Sequence, residues 1–424
     1  MHDNQKYYEK AISVGVNLDN EYFDIELEEL NALAEACDIE VICTFTQNLD
    51  KINPSLYIGT GKVDELKEYI RDNEVDLVIF NNELSPSQLR NLQRIIDIPI
   101  LDRTALILQI FSRRAKTKEA KLQVEFAKLK YMLPRLVGLH SSLGRQGGGS
   151  GLSNKGSGEK KLELDRRRIE DKLVELNKEL NELEKSRNVQ RKQRENSSIP
   201  LVSLVGYTNA GKSTILNALI DEFVKDEEKK VLEQDMLFAT LETSVRKITV
   251  ENRKTFLLSD TVGFVSQLPH GLVKAFRSTL EEVKNADLLI HVVDFSDENY
   301  LKNIEVTKNT LKEIGAENIP VIYVYNKSDL RHIKLPKVEK ERIYMSASNK
   351  IGISELVDMI CNKVFGEYIN CSMLIPYEKS AILSYLVNNA LINQMDYLEE
   401  GTLIKVSLNK KDYNKYKEYI EKEK

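Results

Sequence analysis

The chain has little of what metal centres and disulfide scaffolds are made from. Its 424 residues include 4 cysteines and 5 histidines. Cys37, Cys43, Cys361 and Cys371 form no C-x-x-C pair and show no metal-ligand spacing. That argues against a zinc ribbon or a disulfide framework and for reduced thiols in a cytosol. His140, His270 and His291 are isolated, each reading as a surface or core residue rather than a ligand. No apolar run approaches the ~18 residues a membrane helix needs. The opening Met-His-Asp-Asn-Gln-Lys lacks the apolar core of a secretion signal, so a cytoplasmic location is expected. Net charge is scant as well: 61 basic and 66 acidic residues leave −5, which selects no partner by itself. The length suits two to four domains, each with its own core.

What is present is strongly segmented. In residues 1–103 the strand candidates are Ile12 to Asn17, Ile39 to Phe45, Val75 to Phe80 and Ile98 to Leu101. Helical patterns at Ile25 to Ala36, Lys62 to Arg71 and Pro86 to Ile96 alternate with them. This alternation predicts an N-terminal parallel βαβ domain. The turn Gly59-Thr60-Gly61-Lys62 fits a helix cap better than a phosphate contact.

The period then changes. In residues 104–198, Leu108, Phe111, Ala115, Lys118, Leu122, Phe126, Leu129 and Leu133 form one seam at three- and four-residue spacing. Ile169, Leu173, Leu176, Leu180 and Leu183 form a second. Together they predict an antiparallel α-helical hairpin. Between the seams, residues 138–158 hold eight of the 19 glycines, a composition expected to stay mobile until something binds it. Basic residues flank this stretch: Arg113, Arg114, Lys116, Lys118 and Lys121 before it, and Arg145, Lys155, Lys160, Lys161, Arg166, Arg167 and Arg168 within and after it. A contact with RNA phosphates and a plain flexible linker both fit. No aromatic interleaves the glycines, so base stacking is not suggested. Lys185 to Asn196 is charged and polar, and Ser197-Ser198-Ile199-Pro200 marks a boundary.

Residues 199–368 carry the chemistry. After the apolar run Leu201 to Val205 comes Gly206-Tyr207-Thr208-Asn209-Ala210-Gly211-Lys212-Ser213, leading into a helical start. In that context G-x-x-x-x-G-K-S is a phosphate-binding loop. Its N–H groups converge on a β-phosphate, Lys212 reaches the β- and γ-phosphates, and the Ser213 hydroxyl ligates Mg²⁺. Phe238-Ala239-Thr240-Leu241-Glu242 places Thr240 where a switch loop completes the magnesium shell. Asp260-Thr261-Val262-Gly263 ends a strand, with Asp260 able to reach the metal through water and the Gly263 N–H the γ-phosphate. Asn326-Lys327-Ser328-Asp329 ends another. Asp329 can accept from guanine N1–H and N2–H, while Ser346-Ala347-Ser348 offers backbone N–H to O6. Guanine is preferred over adenine because each base-edge group left unpaired costs about 1–3 kcal/mol. Phe264 stands where many small GTPases have a water-orienting glutamine, which predicts slow intrinsic turnover and stimulation by a partner. Residues 369–424 read as a small C-terminal α/β domain. Its strands are Met373 to Ile375 and Thr402 to Val406, and its helices Ala381 to Ala390 and one from Tyr413. Its lysines (Lys379, Lys405, Lys410, Lys411, Lys415 and Lys417) suit an RNA backbone or plain solvent.

Over nearly its whole length the chain resembles HflX-type ribosome-associated GTPases of the Obg/HflX-like P-loop group. The resemblance rests on Tyr57-Ile58-Gly59-Thr60-Gly61-Lys62-Val63, on Gly156-Ser157-Gly158-Glu159-Lys160-Lys161-Leu162-Glu163 with Asp165-Arg166-Arg167, on Phe238-Ala239-Thr240-Leu241, and on Asp260-Thr261-Val262-Gly263-Phe264 with Leu268-Pro269-His270. It implies a Ras-like P-loop G domain after the α/β domain and hairpin, and Mg²⁺-dependent GTP hydrolysis. It further implies binding to the 50S subunit and 70S ribosome, with the glycine-rich tip near the peptidyl-transferase region, and splitting or rescue of stalled ribosomes under stress. Family members are also credited with hydrolysing ATP. The pattern is broken at Ser157, where the family has proline, at Leu164, where it has threonine, and at Glu242-Thr243-Ser244-Val245. Two other functions stay open: an occupancy or assembly switch with negligible hydrolysis, and an ATP-driven RNA remodeller, which Asn326 and Asp329 oppose. A monomer is expected.

Overall fold

A computed structural model describes residues 8–143, 153–196, 199–223, 244–250, 255–261, 263–265, 282–366 and 368–420. The first sheet is built from β1 (Glu9–Asn17), α1 (Phe23–Glu35), β2 (Ile39–Asn48), α2 (Thr60–Asp72), β3 (Leu77–Phe80), α3 (Pro86–Ile96) and β4 (Ile100–Asp102). All strands run parallel in the order β2-β1-β3-β4. The sequence of β3, Leu-Val-Ile-Phe, is buried at every position, as a strand covered by helices on both faces must be. Local signals set the helix ends. Ser85 and Gln88 close a capping box with Pro86 in the first turn, and Gly59 is the N-cap of α2, so the Gly-Thr-Gly-Lys turn does cap a helix.

The expected long seam is broken. Leu108 and Phe111 belong to α4 (Arg103–Arg114), and the chain turns at Ala115 before α5 (Lys118–Leu143). Leu106, Leu108 and Phe111 pack with Ala11, Leu30 and Ile79 of the first sheet layer, so α4 extends that layer instead of beginning the hairpin. Helix α6 (Ser153–Asn196) pairs with α5 through Lys118–Glu179 (3.1 Å) and Arg187–Glu119. Gly138, Gly156 and Gly158, expected in the mobile tip, lie within α5 and α6, and the charged stretch Lys185 to Asn196 is the last part of α6. Arg113, Arg114, Lys116, Lys118 and Lys121 sit at the opposite end of α5 from the glycines, not beside them.

A buried network seats the hairpin. Asp102 accepts from the N–H groups of Ala105 (2.8 Å) and Leu84 (3.0 Å), and burial pushes its carboxyl up from the ordinary range. Arg135 of α5 reaches Asp102 (3.4 Å), Glu83 (3.0 Å) and the Leu84 carbonyl (2.8 Å) while stacking on Tyr131.

The central unit comprises β5 (Leu201–Gly206), α7 (Lys212–Phe223), β6 (Ser244–Thr249), β7 (Thr255–Asp260), β8 (Leu288–Asp294), α8 (Tyr300–Glu313), β9 (Val321–Asn326), β10 (Lys337–Glu339), β11 (Arg342–Tyr344) and α9 (Ile353–Phe365). Among the described residues its strands order β10-β11-β9-β8-β5-β7-β6, parallel except for β6 and β10 at the two edges. Buried His291 lies in the middle of β8, a core residue. The last unit is an antiparallel sheet, β12-β14-β13, formed by β12 (Tyr368–Ile375), β13 (Leu391–Leu398) and β14 (Gly401–Asn409), with α10 (Ser380–Asn389) and α11 (Lys410–Lys415). Strand β13 was not expected, and the terminal helix begins at Lys410, ahead of the expected Tyr413. Among the described residues no helix is long and apolar enough to cross a membrane.

The first and central layers touch. Arg103, buried, forms an ion pair with Glu29 and donates to Asn81 Oδ1 (2.8 Å) and the Glu26 carbonyl (3.3 Å). The Tyr207 hydroxyl also donates to Glu29. Lys302 lies 3.6 Å from Glu26 and over the Tyr22 ring.

Candidate nucleotide site

Strand β5 delivers the chain into a turn that only glycine allows at two points. Gly206 has φ +149°, and a methyl group there would fall 2.2 Å from the Val292 carbonyl oxygen. Gly211 has φ +91°, and its methyl would fall 2.2 Å from Asn326 Nδ2. Both lie in backbone regions that L side chains seldom adopt. The loop residues Tyr207, Thr208, Asn209 and Ala210 therefore pass close to β8 and β9 before α7 begins at Lys212.

Lys212 is buried and donates to the Gly206 (3.1 Å) and Tyr207 (2.7 Å) carbonyls. Burial lowers its pKa to about 8, against the attraction of Asp260. The Ser213 hydroxyl donates to Asp260 Oδ2 (2.9 Å), and Asp260 itself is fully buried at the end of β7. An oxygen pair of this kind, one hydroxyl and one carboxylate, suits a hard divalent cation such as Mg²⁺. Thr261 ties its hydroxyl to the Leu204 carbonyl (2.6 Å). Gly263 lies against the loop, so that a methyl group on it would meet Thr208 Cγ2 at 2.8 Å and Lys212 Nζ at 3.0 Å. Phe238, Ala239, Thr240, Leu241, Glu242 and Val262 lie outside the described residues.

The Phe264 backbone pairs with the loop, its N–H donating to the Gly206 carbonyl (3.1 Å) and its carbonyl accepting from Thr208 N–H (2.8 Å). Its ring is 2% exposed and packs with Val205, Val283, Leu289 and Leu311. A side chain at this position points into the core.

The opposite end of the site holds the Asp329 carboxylate, bonded by the Asn349 amide. Asn326 spans two loops, donating to the Ala210 carbonyl (3.1 Å) and accepting from Ala347 N–H (3.0 Å). Lys327 takes φ +58° and pairs with Asp294 (2.7 Å). Ser328 N–H donates to the Met345 carbonyl (3.1 Å), joining its turn to the one containing Ser346, Ala347 and Ser348. Asp329 Oδ1 is buried with no hydrogen-bond partner among the described residues, as is Thr208 Oγ1. Buried polar atoms in that state are costly unless a ligand completes them. Asn349, whose amide reaches Asp329 Oδ2 (3.1 Å), and Asp294 were not anticipated from the sequence. Asp294 carries a weak signal, as a carboxylate ending an apolar strand beside the Asn-Lys-Ser-Asp turn.

Of the basic residues expected to meet RNA, Arg145 and the side chains of Lys155, Lys160 and Lys161 lie outside the described residues. Arg166 and Arg167 are on α6, exposed, and pair with Glu170 (2.9 Å) and Glu163 (3.1 Å).

A glycine loop between β5 and α7, an aspartate ending β7 beside the loop serine, and an Asn-Lys-Ser-Asp turn ending β9, on a mainly parallel sheet, define a P-loop GTPase domain. A family described as "50S ribosome-binding GTPase" matches residues 201–327; "GTP-binding GTPase N-terminal" matches 24–112 and "GTP-binding GTPase Middle Region" 114–194. The chain is 45% identical over 402 residues to the GTPase HflX of Caldanaerobacter subterraneus subsp. tengcongensis, spanning 94% of this chain and 91% of that one. To the GTPase HflX of Escherichia coli it is 36% identical over 409 residues, spanning 95% and 94%. A GTP-binding protein of Sulfolobus solfataricus solved with GDP aligns with 84% of this chain and 98% of its own, at 24% identity and a TM-score of 0.43. The chain belongs to the HflX GTPase family, and GTP hydrolysis is its activity.

Proposed function

We propose that this protein is a Mg²⁺-dependent GTP switch of the cytoplasm that binds the 50S subunit and 70S ribosome as a monomer and takes part in splitting or rescuing stalled ribosomes under stress. The observation that carries the nucleotide assignment is the buried Asp329 Oδ1 with no hydrogen-bond partner among the described residues. Guanine presents N1–H and N2–H side by side, whereas adenine offers no such pair of donors to a carboxylate.

In this reading the backbone of Gly206 to Ser213 wraps the β-phosphate, and Lys212 exchanges its two carbonyl partners for phosphate oxygens. Gly263 offers its N–H to the γ-phosphate. Asn326, Lys327 and Ser328 hold the base turn, and Ser346 to Ser348 face the guanine carbonyl. Ser213 and Thr240 hold Mg²⁺, with Asp260 behind them; when bound, the ion neutralises phosphate charge. Phe238 to Glu242 and Asp260 to Gly263 are the switch segments. Arg145, Lys155, Lys160, Lys161, Arg166 and Arg167 supply the phosphate-backbone contacts to ribosomal RNA.

Co-sedimentation with ribosomes in GDP, in a non-hydrolysable GTP analogue and without nucleotide tests the switch; identical pelleting in all three would sink it. Competition of GTP and ATP, for wild type and Asp329→Asn, tests the base: equal wild-type affinities would refute guanine. One observation favours a second reading, an occupancy switch with negligible hydrolysis. The buried Phe264 ring offers nothing to an attacking water. Single-turnover hydrolysis with and without ribosomes separates the two.

A further inference from the structure

We infer that Asn349 determines base specificity, by holding the Asp329 carboxylate in the plane that a guanine edge requires. This rests on the guanine reading of Asp329. The turn bearing Asn349 is fixed on several sides. Ser346 and Ile351 exchange backbone hydrogen bonds in both directions (3.1 and 2.9 Å), and Lys350 N–H donates to the Ala347 carbonyl (3.1 Å). Ala347 N–H is held by Asn326 (3.0 Å), and Lys350, at φ +55°, pairs with Asp221 (2.9 Å).

From that turn the Asn349 amide makes two bonds with one nitrogen. It donates to Asp329 Oδ2 (3.1 Å) and to Ser346 Oγ (3.0 Å), which uses both of its hydrogens. Ser346 thereby orients Asn349, and Asn349 orients Asp329. A carboxylate oxygen has lone pairs for more than one donor, so Oδ2 accepts Asn349 and a base N–H together while buried Oδ1 takes the other. Without the amide the carboxylate turns about its terminal torsion, a broad and soft one, and no longer presents two oxygens to two donors.

The consequence is selective. Guanine uses both oxygens; hypoxanthine, which lacks the 2-amino group, uses one. Loss of carboxylate alignment therefore weakens guanine nucleotides more than hypoxanthine nucleotides. Binding of fluorescent GDP and IDP to the full-length protein reads this, with thermal melting alongside. Asn349→Ala, an exposed turn position, is expected to melt like wild type. It should bind GDP roughly five- to tenfold more weakly, the loss of one charge-assisted hydrogen bond at an exposed site, and IDP at most about twofold more weakly. Asn349→Asp sets a second carboxylate beside Asp329 and should lose more GDP affinity than alanine does.

Unchanged GDP binding, equal loss of GDP and IDP, or tighter GDP binding in Asn349→Ala would each overturn the inference. The last would make Asn349 a competitor for the base. If wild type shows no preference for GDP over ADP, it is the guanine reading that fails, and that control distinguishes the two failures.

Discussion

Filling the phosphate loop with GDP at pH 8 should draw about half a proton from solution per nucleotide bound. Lys212 is 7% exposed, and burial lowers its ammonium from 10.5 to about 8. At pH 8 about half of the nucleotide-free molecules therefore hold a neutral amine. A phosphate set against that amine favours the cation and restores its proton. The phosphate itself, with its second pKa near ~6, is already ionised and contributes no uptake. The uptake should fall to about a tenth of a proton at pH 7 and rise to about nine-tenths at pH 9. The shift corresponds to roughly 3 kcal/mol against the buried cation. Because the folded pKa is the lowered one, the unfolded chain binds more protons between about 8 and 10.5, so the nucleotide-free protein should gain stability as pH rises through that window. Isothermal titration in buffers of different ionisation enthalpy measures the uptake. A value that stays flat from pH 7 to pH 9 would refute the burial argument for Lys212.

Three further outcomes are expected. Gly211→Ala should lose about 1–3 kcal/mol of stability and most nucleotide affinity, because the methyl drives Asn326 off the loop; melting and GDP titration check both. Arg103→Met should cost about 3–5 kcal/mol in urea unfolding, since it removes the buried guanidinium that pairs with the Glu29 carboxylate. Replacing both partners (Arg103→Met with Glu29→Leu) should cost much less. Phe264→Gln should destabilise by about 3 kcal/mol without speeding single-turnover hydrolysis, because position 264 faces the core; a faster basal rate would contradict that orientation.

The glycine loop, the aspartate ending β7 and the Asn-Lys-Ser-Asp turn after β9 were legible because the chemistry of a nucleotide fixes both residue type and spacing. The alternating elements before Asp102 were legible for a different reason: β1 and β3, inside the sheet, are buried along most of their length and leave short, largely apolar runs. The break at Ala115 was hidden, because α4 and α5 both keep apolar residues at helical spacing while facing different partners. Periodicity reports that a face is buried, not what it is buried against. The C-terminal part of α6 was missed for lack of an apolar stripe. Strand β13 was missed because it is a largely exposed edge whose polar residues mask its alternation. Arg103 reads as surface in the sequence and is buried only because Glu29 and Asn81, far away along the chain, meet it. Asn349 belongs to the same class: an ordinary turn residue until Asp329 is placed across from it.

Gly263 is followed by two residues moored in different places. The Phe264 ring sits among Val205, Leu289 and Leu311 of the central unit, while Val265, 1% exposed, sits with Leu30, Leu106 and Phe111 of the first. Drawing Gly263 toward a ligand therefore strains two anchorages at once, and freeing a buried valine alone costs about 1.5–3 kcal/mol. The resting position of this segment behaves as a spring whose stiffness is set partly by side chains that never meet the nucleotide.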